Sequence, residues 1–271
     1  MEKLRLDVVM EELGLAESRS SAQRIIMAGQ ARVNGQVILK VAAKVNRTDL
    51  IEVDKPPKFV SRGGEKLLGA LQAFDMLQLD GLVCADIGSS TGGFTDCLLQ
   101  HGAAKVFAVD VGYGVMHWKL RNHPKVVLME RTNARYIEGF DDPIQLVTID
   151  ASFISLRTLL PVVKKWLEES GGQVVALIKP QFEAGRQDAA KGEGVIRDVL
   201  IHQRILEQVL SFAVQEGFEI KGLVQSPLTG PKGNIEFLTL LSYPATTQSS
   251  VVDWLAKLYP VDAQSEEIVS I

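Results

Sequence analysis

Apolar positions in the first fifty residues recur first at helical and then at strand spacing. RLDVVMEELGL and SRSSAQRIIMAG carry apolar residues at three- and four-residue intervals and predict two short helices. Gly14 and Gly29 stand where helix ends favour positive φ, and Ser18 or Ser20 is placed to cap the second helix. QARVNGQVI alternates around Asn34-Gly35 and predicts a two-residue hairpin, with DLIEV as a last strand. After Pro56-Pro57 the pattern changes to apolar runs, LVCADIG, KVFAVDVG, KVVLME, QLVTID, QVVALIKP, FEIKGLVQ and NIEFLTLLSY. Helical stretches lie between them, including Thr95–Gln100, Leu156–Glu169 and Arg197–Glu216. Such alternation predicts βαβ units and an α/β fold, a mostly parallel seven-stranded sheet covered by helices on both faces. Ligands in such sheets lie beyond the carboxyl ends of the strands. The predicted organisation is a small α+β domain over 1–58, a linker over 59–65, the α/β domain over 66–244 and a C-terminal extension over 245–271 with one amphipathic piece, VVDWLAKLY. The glycine-containing, charged stretch 184–198 reads as a mobile loop.

Composition narrows the class. The chain has 271 residues, 46% of them hydrophobic, enough for a large core. Acidic and basic residues are interspersed from Glu2 onward, and no apolar run approaches the roughly 18–20 residues that span a bilayer. Neither a signal peptide nor a membrane span is expected, and the expected location is the cytoplasm. Cys84 and Cys97 make no disulfide framework, and the four histidines form no metal-ligand pair, so no metal is expected. The net charge of −4 hides an asymmetry. Residues 1–66 hold twelve Lys and Arg against nine Asp and Glu, leaving seventeen against twenty-four in the remainder. A basic small segment ahead of an acidic body suits a nucleic-acid contact at the front of the chain.

In that front segment Arg19 and Gln23 are one helical turn apart with Arg24 beside them, while Ala22, Ile25 and Ile26 turn toward a core. The string SR-x-x-A-x-x-x-I-x-x-G-x-x-x-V-N-G resembles the S4 RNA-binding domain. That resemblance implies that Arg5, Arg19, Gln23, Arg24, Arg32 and Lys40 face RNA.

The first strand of the α/β part runs into Asp86-Ile87-Gly88-Ser89-Ser90-Thr91-Gly92-Gly93-Phe94-Thr95-Asp96. This is neither a Walker loop nor G-x-G-x-x-G, so nucleoside triphosphates and dinucleotides are both demoted. It offers an acid at a strand end, glycines that admit close backbone approach, and a helix N-terminus that favours a carboxylate. Asp110 ends the next strand, where a carboxylate can accept from both hydroxyls of a ribose. Partners for an ammonium, a carboxylate and a ribose together describe S-adenosylmethionine, and D-x-G-x-x-x-G-G resembles the first motif of Rossmann-like methyltransferases. Asn133 is read either as an adenine contact or as a loop cap.

The acceptor class follows from the fourth strand, which ends Ile149-Asp150-Ala151-Ser152-Phe153. The [DN]-P-P-[YF] string of base amino methyltransferases is missing there, and neither cysteine lies near a strand end suited to a nucleophile. A hydroxyl acceptor remains. Its proton must be taken or relayed, and Lys179, at the end of the apolar run Val174–Ile178, is the candidate, with Asp150 on the neighbouring strand to orient it. Lys66 in SRGGEKL supplies a second cation and Glu236, after Gly230-Pro231-Lys232-Gly233-Asn234, a second carboxylate. Gly63 and Gly64 read as a flexible joint, with Arg62 meeting phosphate.

Lys66, Asp150, Lys179 and Glu236 in this order resemble the K-D-K-E tetrad of FtsJ-like ribose 2′-O-methyltransferases. SRGGEKL, DIGSSTGGFTD, DASFISL, KPQFEAGR and GPKGNIEF behind an S4 module resemble the TlyA family of ribosomal RNA methyltransferases, also catalogued as haemolysins. The resemblance runs from about residue 4 to residue 243. It implies the tetrad as catalytic residues, a cytidine ribose in large-subunit ribosomal RNA as acceptor with the small subunit left open, and ribosomal RNA or ribosomal subunits as partners. The alternatives are a membrane-active haemolysin and an RNA-binding protein with an inactive methyltransferase domain.

Overall fold

The computed structural model describes residues 3–54, 57–167, 171–185 and 194–260. The chain divides into two units, Met1–Lys58 and Phe59–Ile271.

The first unit opens with β1 (Leu4–Arg5), α1 (Leu6–Glu12) and α2 (Arg19–Met27), followed by β2 (Ala31–Val33), β3 (Gln36–Val37), β4 (Lys44–Val45) and β5 (Ile51–Val53). Leu6, Val9 and Met10 of α1 and Ala22 and Ile26 of α2 close a core with Ala31, Val45 and Ile51. Ser18 caps α2 through Ser21 N at 3.3 Å. Asn34 and Gly35 take φ of 50° and 80° between paired β2 and β3, the backbone that a primed hairpin turn requires. The two-residue pair β1–β4 has no periodic signature and was not predicted.

The second unit contains α3 (Gly63–Ala73), β6 (Val83–Ile87), α4 (Gly93–Gln100), β7 (Lys105–Val109), α5 (Trp118–Arg121), β8 (Val126–Met129), β9 (Leu146–Ile149), α6 (Leu156–Leu167) and β10 (Gly172–Ile178). It continues through α7 (Pro180–Glu183), α8 (Val199–Gln215), β11 (Glu219–Gln225), β12 (Phe237–Tyr243) and α9 (Val251–Leu258). The seven-stranded sheet has the order β11-β12-β10-β9-β6-β7-β8, parallel from β10 to β8, with β12 antiparallel to both neighbours.

Side chains alternate between two cores. Val174, Ala176 and Ile178 of β10 face the core shared with α6 and α8, whereas Val175 and Leu177 face the one shared with α3 and α4. Burial on both faces explains why these strands read as unbroken apolar runs. The α9 helix packs Val251, Trp254, Leu255 and Leu258 on the first of these cores. The chain leading to it is tied to the buried Glu219 carboxylate, which accepts from Thr246 N at 3.1 Å, Thr246 Oγ1 at 2.8 Å and both donors of Thr247. Lys221 at 2.6 Å and these threonines hold Glu219 well below the usual carboxylate range. Of the loop read as mobile, residues 186–193 lie outside the described residues, as do residues 261–271 of the extension.

The reading of residues 59–65 as a flexible linker is corrected. Phe59 is buried in the α3–α4 core, Val60 N donates to Asp96 Oδ2 at 2.9 Å, and α3 begins at Gly63. Gly64 is a packing glycine, because a Cβ there would stand 2.2 Å from Cγ of Phe59, whereas one on Gly63 would meet nothing closer than 3.5 Å. Gly64→Ala is therefore expected to cost about 1–3 kcal/mol through overpacking. Gly63→Ala is expected to stay within about 0.5 kcal/mol of wild type. Denaturant titration of the two variants checks the contrast.

Candidate active site

The site forms where β6, β7, β9 and β10 end. Asp150 N donates to Ile87 O at 2.9 Å, which fixes the start of the Asp150 loop against the start of the glycine loop. Gly88 has φ of 80°, and a Cβ on it would lie 2.8 Å from the Asp150 carbonyl oxygen, so no other residue fits without displacing backbone. Gly92, at φ 95°, lies against Leu120 and Met116, and Gly93 against Ser61 and the Gly64 amide. The glycines thus let three neighbouring segments close on the loop while α4 starts at its end.

Two cavities flank this loop. The first, about 490 Å³, includes Arg62, Lys66, Ser89, Thr91, Phe94 and Asp150 in its lining. The second, about 450 Å³, includes Asp110, Thr132, Asn133, Arg135, Asp150 and Phe153. Gly88, Ser90 and Asp150 belong to both walls.

Asp110 lines the second cavity with its carboxylate fixed by Ser90 N at 2.8 Å and Gly112 N at 2.7 Å, and an ionised carboxylate has further lone pairs to offer. Asn133 does double duty, accepting from Arg135 N at 3.1 Å as a cap while also lining the cavity. Asp86 departs from the expectation of direct ligand contact. It is fully buried, outside both linings, and accepts from Thr95 Oγ1 at 2.6 Å and Thr148 Oγ1 at 2.9 Å. It braces the loop from beneath. Burial outweighs the two hydroxyl donors and raises its pKa to about 6.

The four charged residues of the predicted tetrad form two ion pairs. Lys66 Nζ meets Glu236 Oε2 at 2.5 Å, and Lys179 Nζ meets Asp150 Oδ1 at 2.5 Å. Lys179 also donates to Ser152 Oγ at 3.0 Å and Asp150 O at 3.3 Å. Lys66 and Asp150 line the first cavity, with Glu236 and Lys179 behind them. All four are largely buried except Asp150, whose side chain is 22% exposed. Arg62, expected to meet phosphate, lies in the first wall close to Lys66 in sequence.

Sequence reasoning missed Ser152, Thr95, Thr148 and Glu183. The Glu183 carboxylate accepts from Ser155 Oγ and Leu156 N, both at 2.6 Å, pinning the far end of the Asp150 loop; burial raises its pKa. Its nearness to Lys179 in KPQFE was the available signal. The Cys84 thiol is pushed up to about 12 by burial, in keeping with an inert core cysteine.

A doubly covered sheet with a glycine loop after its central strand, an acid at the next strand end and paired charges at the following two defines a Rossmann-like methyltransferase. The residues present fit S-adenosylmethionine. Ser89 Oγ is buried without a partner among the described residues, Asp110 has acceptor capacity in the second wall, and Gly88 keeps the shared wall free of a side chain.

Comparison with known proteins agrees. Residues 59–243 match the FtsJ-like methyltransferase model and residues 4–51 the S4 domain. A Mycobacterium tuberculosis protein named 16S/23S rRNA (cytidine-2′-O)-methyltransferase TlyA is 42% identical, over 88% of this chain and 90% of the relative. Hemolysin A of Brachyspira hyodysenteriae is 47% identical, over 87% and 98%. A solved structure titled as a hemolysin from Streptococcus thermophilus superposes with a TM-score of 0.70 at 43% identity, covering 95% of this chain and 96% of that one. The chain belongs to the TlyA family of FtsJ-like methyltransferases. Among the described residues no helix is long and apolar enough to cross a membrane, and no group of three metal-ligating side chains occurs.

The Asp86 environment predicts a pH dependence. A carboxyl whose pKa rises from 3.8 to about 6 on folding binds more protons folded than unfolded between those values. Its contribution to stability therefore falls as pH rises through that window and levels off above it, by up to about 3 kcal/mol. Asp86→Asn is expected to gain stability relative to wild type from pH 4.5 to 6.5 and to hold that gain at pH 7.5. Parallel denaturant titrations measure the difference.

Proposed function

We propose that this chain is an S-adenosylmethionine-dependent methyltransferase acting on a ribose 2′-hydroxyl of ribosomal RNA, with cytidine as the nucleoside. The observation that carries the reading is the Asp150–Lys179 pair, whose carboxylate stands in the walls of both cavities. A charged pair at the wall the two cavities share suits a reaction at the point where they meet. The names of the relatives support ribosomal RNA as the acceptor.

S-adenosylmethionine supplies, when bound, a methyl group activated by sulfonium. Asp110 and Asn133 line the cavity suited to its nucleoside end, and Ser89, Ser90 and Thr91 the wall suited to its amino-acid end, with Gly92, Gly93 and Phe94 completing the loop and helix start. Asp86 sets that loop through Thr95. Lys179 Nζ spreads its donors over Asp150 Oδ1, Ser152 Oγ and, most weakly, Asp150 O at 3.3 Å. An incoming hydroxyl replaces that longest contact: the Asp150 carboxylate takes one proton from Lys179 Nζ across their 2.5 Å contact, and the lone pair so freed accepts the proton of the hydroxyl. The Lys66–Glu236 pair fixes the opposite wall. On the first unit, Arg5, Arg19, Gln23, Arg24, Arg32 and Lys40 provide cations and donors for the RNA backbone, joined on the second by Arg62.

The test is transfer of labelled methyl from S-adenosylmethionine to ribosomal subunits lacking the modification, followed by alkaline hydrolysis. Wild type is expected to leave label in an alkali-resistant dinucleotide. Lys179→Ala and Lys179→Arg, which cannot take up the proton, are expected to fall by about 10²–10⁴-fold in turnover, the range of general-base catalysis. S-adenosylmethionine affinity is expected to stay within about threefold. Label in alkali-labile nucleotides, or on a base, would sink the assignment.

A further inference from the structure

Among the described residues of the first unit, one carboxylate is completely buried. Asp7, in the first turn of α1, is 0% exposed and gathers donors from three residues on two other elements, β1 and α2. Arg5 Nε and Nη2 each reach it at 2.9 Å, Arg19 Nε from the start of α2 at 2.9 Å, and Gln23 Nε2 one turn further along at 2.8 Å. Arg5 holds it two-pronged, the strongest geometry a guanidinium offers a carboxylate. The Asp7 carboxyl is held well below the usual carboxylate range, chiefly by Arg5 and against the cost of burial. The two arginines are 36% and 49% exposed at their side chains. Nη1 of Arg5 and both Nη nitrogens of Arg19 have no partner among the described residues.

We propose that Asp7 is the positioning residue of the RNA-binding face, clamping the guanidinium planes of Arg5 and Arg19 so that their unspent N–H groups form a fixed two-cation fork for adjacent backbone phosphates. This rests on the RNA-directed function proposed above. Long arginine side chains otherwise lose rotamer freedom when they bind, and a clamp that orders them beforehand lowers that cost. Two cations on one carboxylate leave the cluster one positive charge in excess, so it still attracts a polyanion. Gln23 contributes no charge and acts as the third leg of the clamp.

Asp7→Asn in the full chain separates positioning from net charge, because it adds one positive charge while keeping the side chain's size. With a ribosomal RNA transcript that wild type methylates as the probe, the clamp predicts a Kd about tenfold weaker, as for one charge-assisted interaction lost. It also predicts that the dependence of log K on log salt becomes shallower by about one contact's worth, roughly 0.7–0.9 per phosphate. KM for RNA rises with Kd, while kcat moves by less than about twofold, because the chemistry lies on the other unit. Equal or tighter binding by folded Asp7→Asn, with an unchanged or steeper salt slope, overturns the proposal. Should Asp7→Asn fail to fold, Arg5→Lys decides, since it keeps the charge and loses the two-pronged grip. A wild-type Kd and slope for Arg5→Lys overturn the proposal, and weakening with a shallower slope supports it. Wild type that neither binds nor methylates ribosomal RNA would instead overturn the parent reading, a failure distinguishable from loss in the variants alone.

Discussion

The carboxyl ends of β6 and β9 meet with no side chain between them. Gly88 comes so near the Asp150 carbonyl that a single added carbon would collide at 2.8 Å, and the backbone bond from Asp150 N to Ile87 O holds the two ends at that separation. Both cavities take their shared wall from this contact. Were the strand ends to part, the glycine loop and the Asp150 loop would no longer address the same volume. The parallel pairing in which Ile87 faces Ile149 is therefore what converts a core of interchangeable apolar residues into a site of defined shape.

Around that contact the second unit buries several charges, each of which loses hydration on folding. Continuum reasoning makes such groups unfavourable unless other polar groups replace the water. The replacement differs from place to place. Lys66 and Glu236 neutralise each other, Lys179 divides its donors between Asp150 and Ser152, and Asp86 relies on two neutral hydroxyls. Asp86 is left with a raised pKa, because its two hydroxyl donors offset only part of the cost of burial.

Much of this was legible in the amino-acid order, for identifiable reasons. Parallel strands buried on both faces produce unbroken apolar runs, and a hairpin turn with φ positive at both central positions announces itself as Asn34-Gly35. The glycine loop and the order of Lys66, Asp150, Lys179 and Glu236 were readable because chemistry restricts residue type at strand ends. Pairings that join distant positions without periodicity were not readable. Nothing local says that Asp86 will be met by Thr148, 62 residues on, or that Asp7 will gather Arg19 and Gln23 across the turn between two helices. The Gly63-Gly64 pair misled because glycine serves flexibility and close packing equally well, and only the position of Phe59 distinguishes them.

The Glu219 carboxylate has a practical bearing on where this protein ends as a folding unit. The sheet is complete at Tyr243, and a designer trimming the gene would naturally cut there. Doing so would strip a buried anion of Thr246 and Thr247 and leave Lys221 as its remaining partner, with the apolar face under α9 laid open. A cut placed beyond Tyr259 keeps both the Glu219 contacts and the packing of α9 on the core.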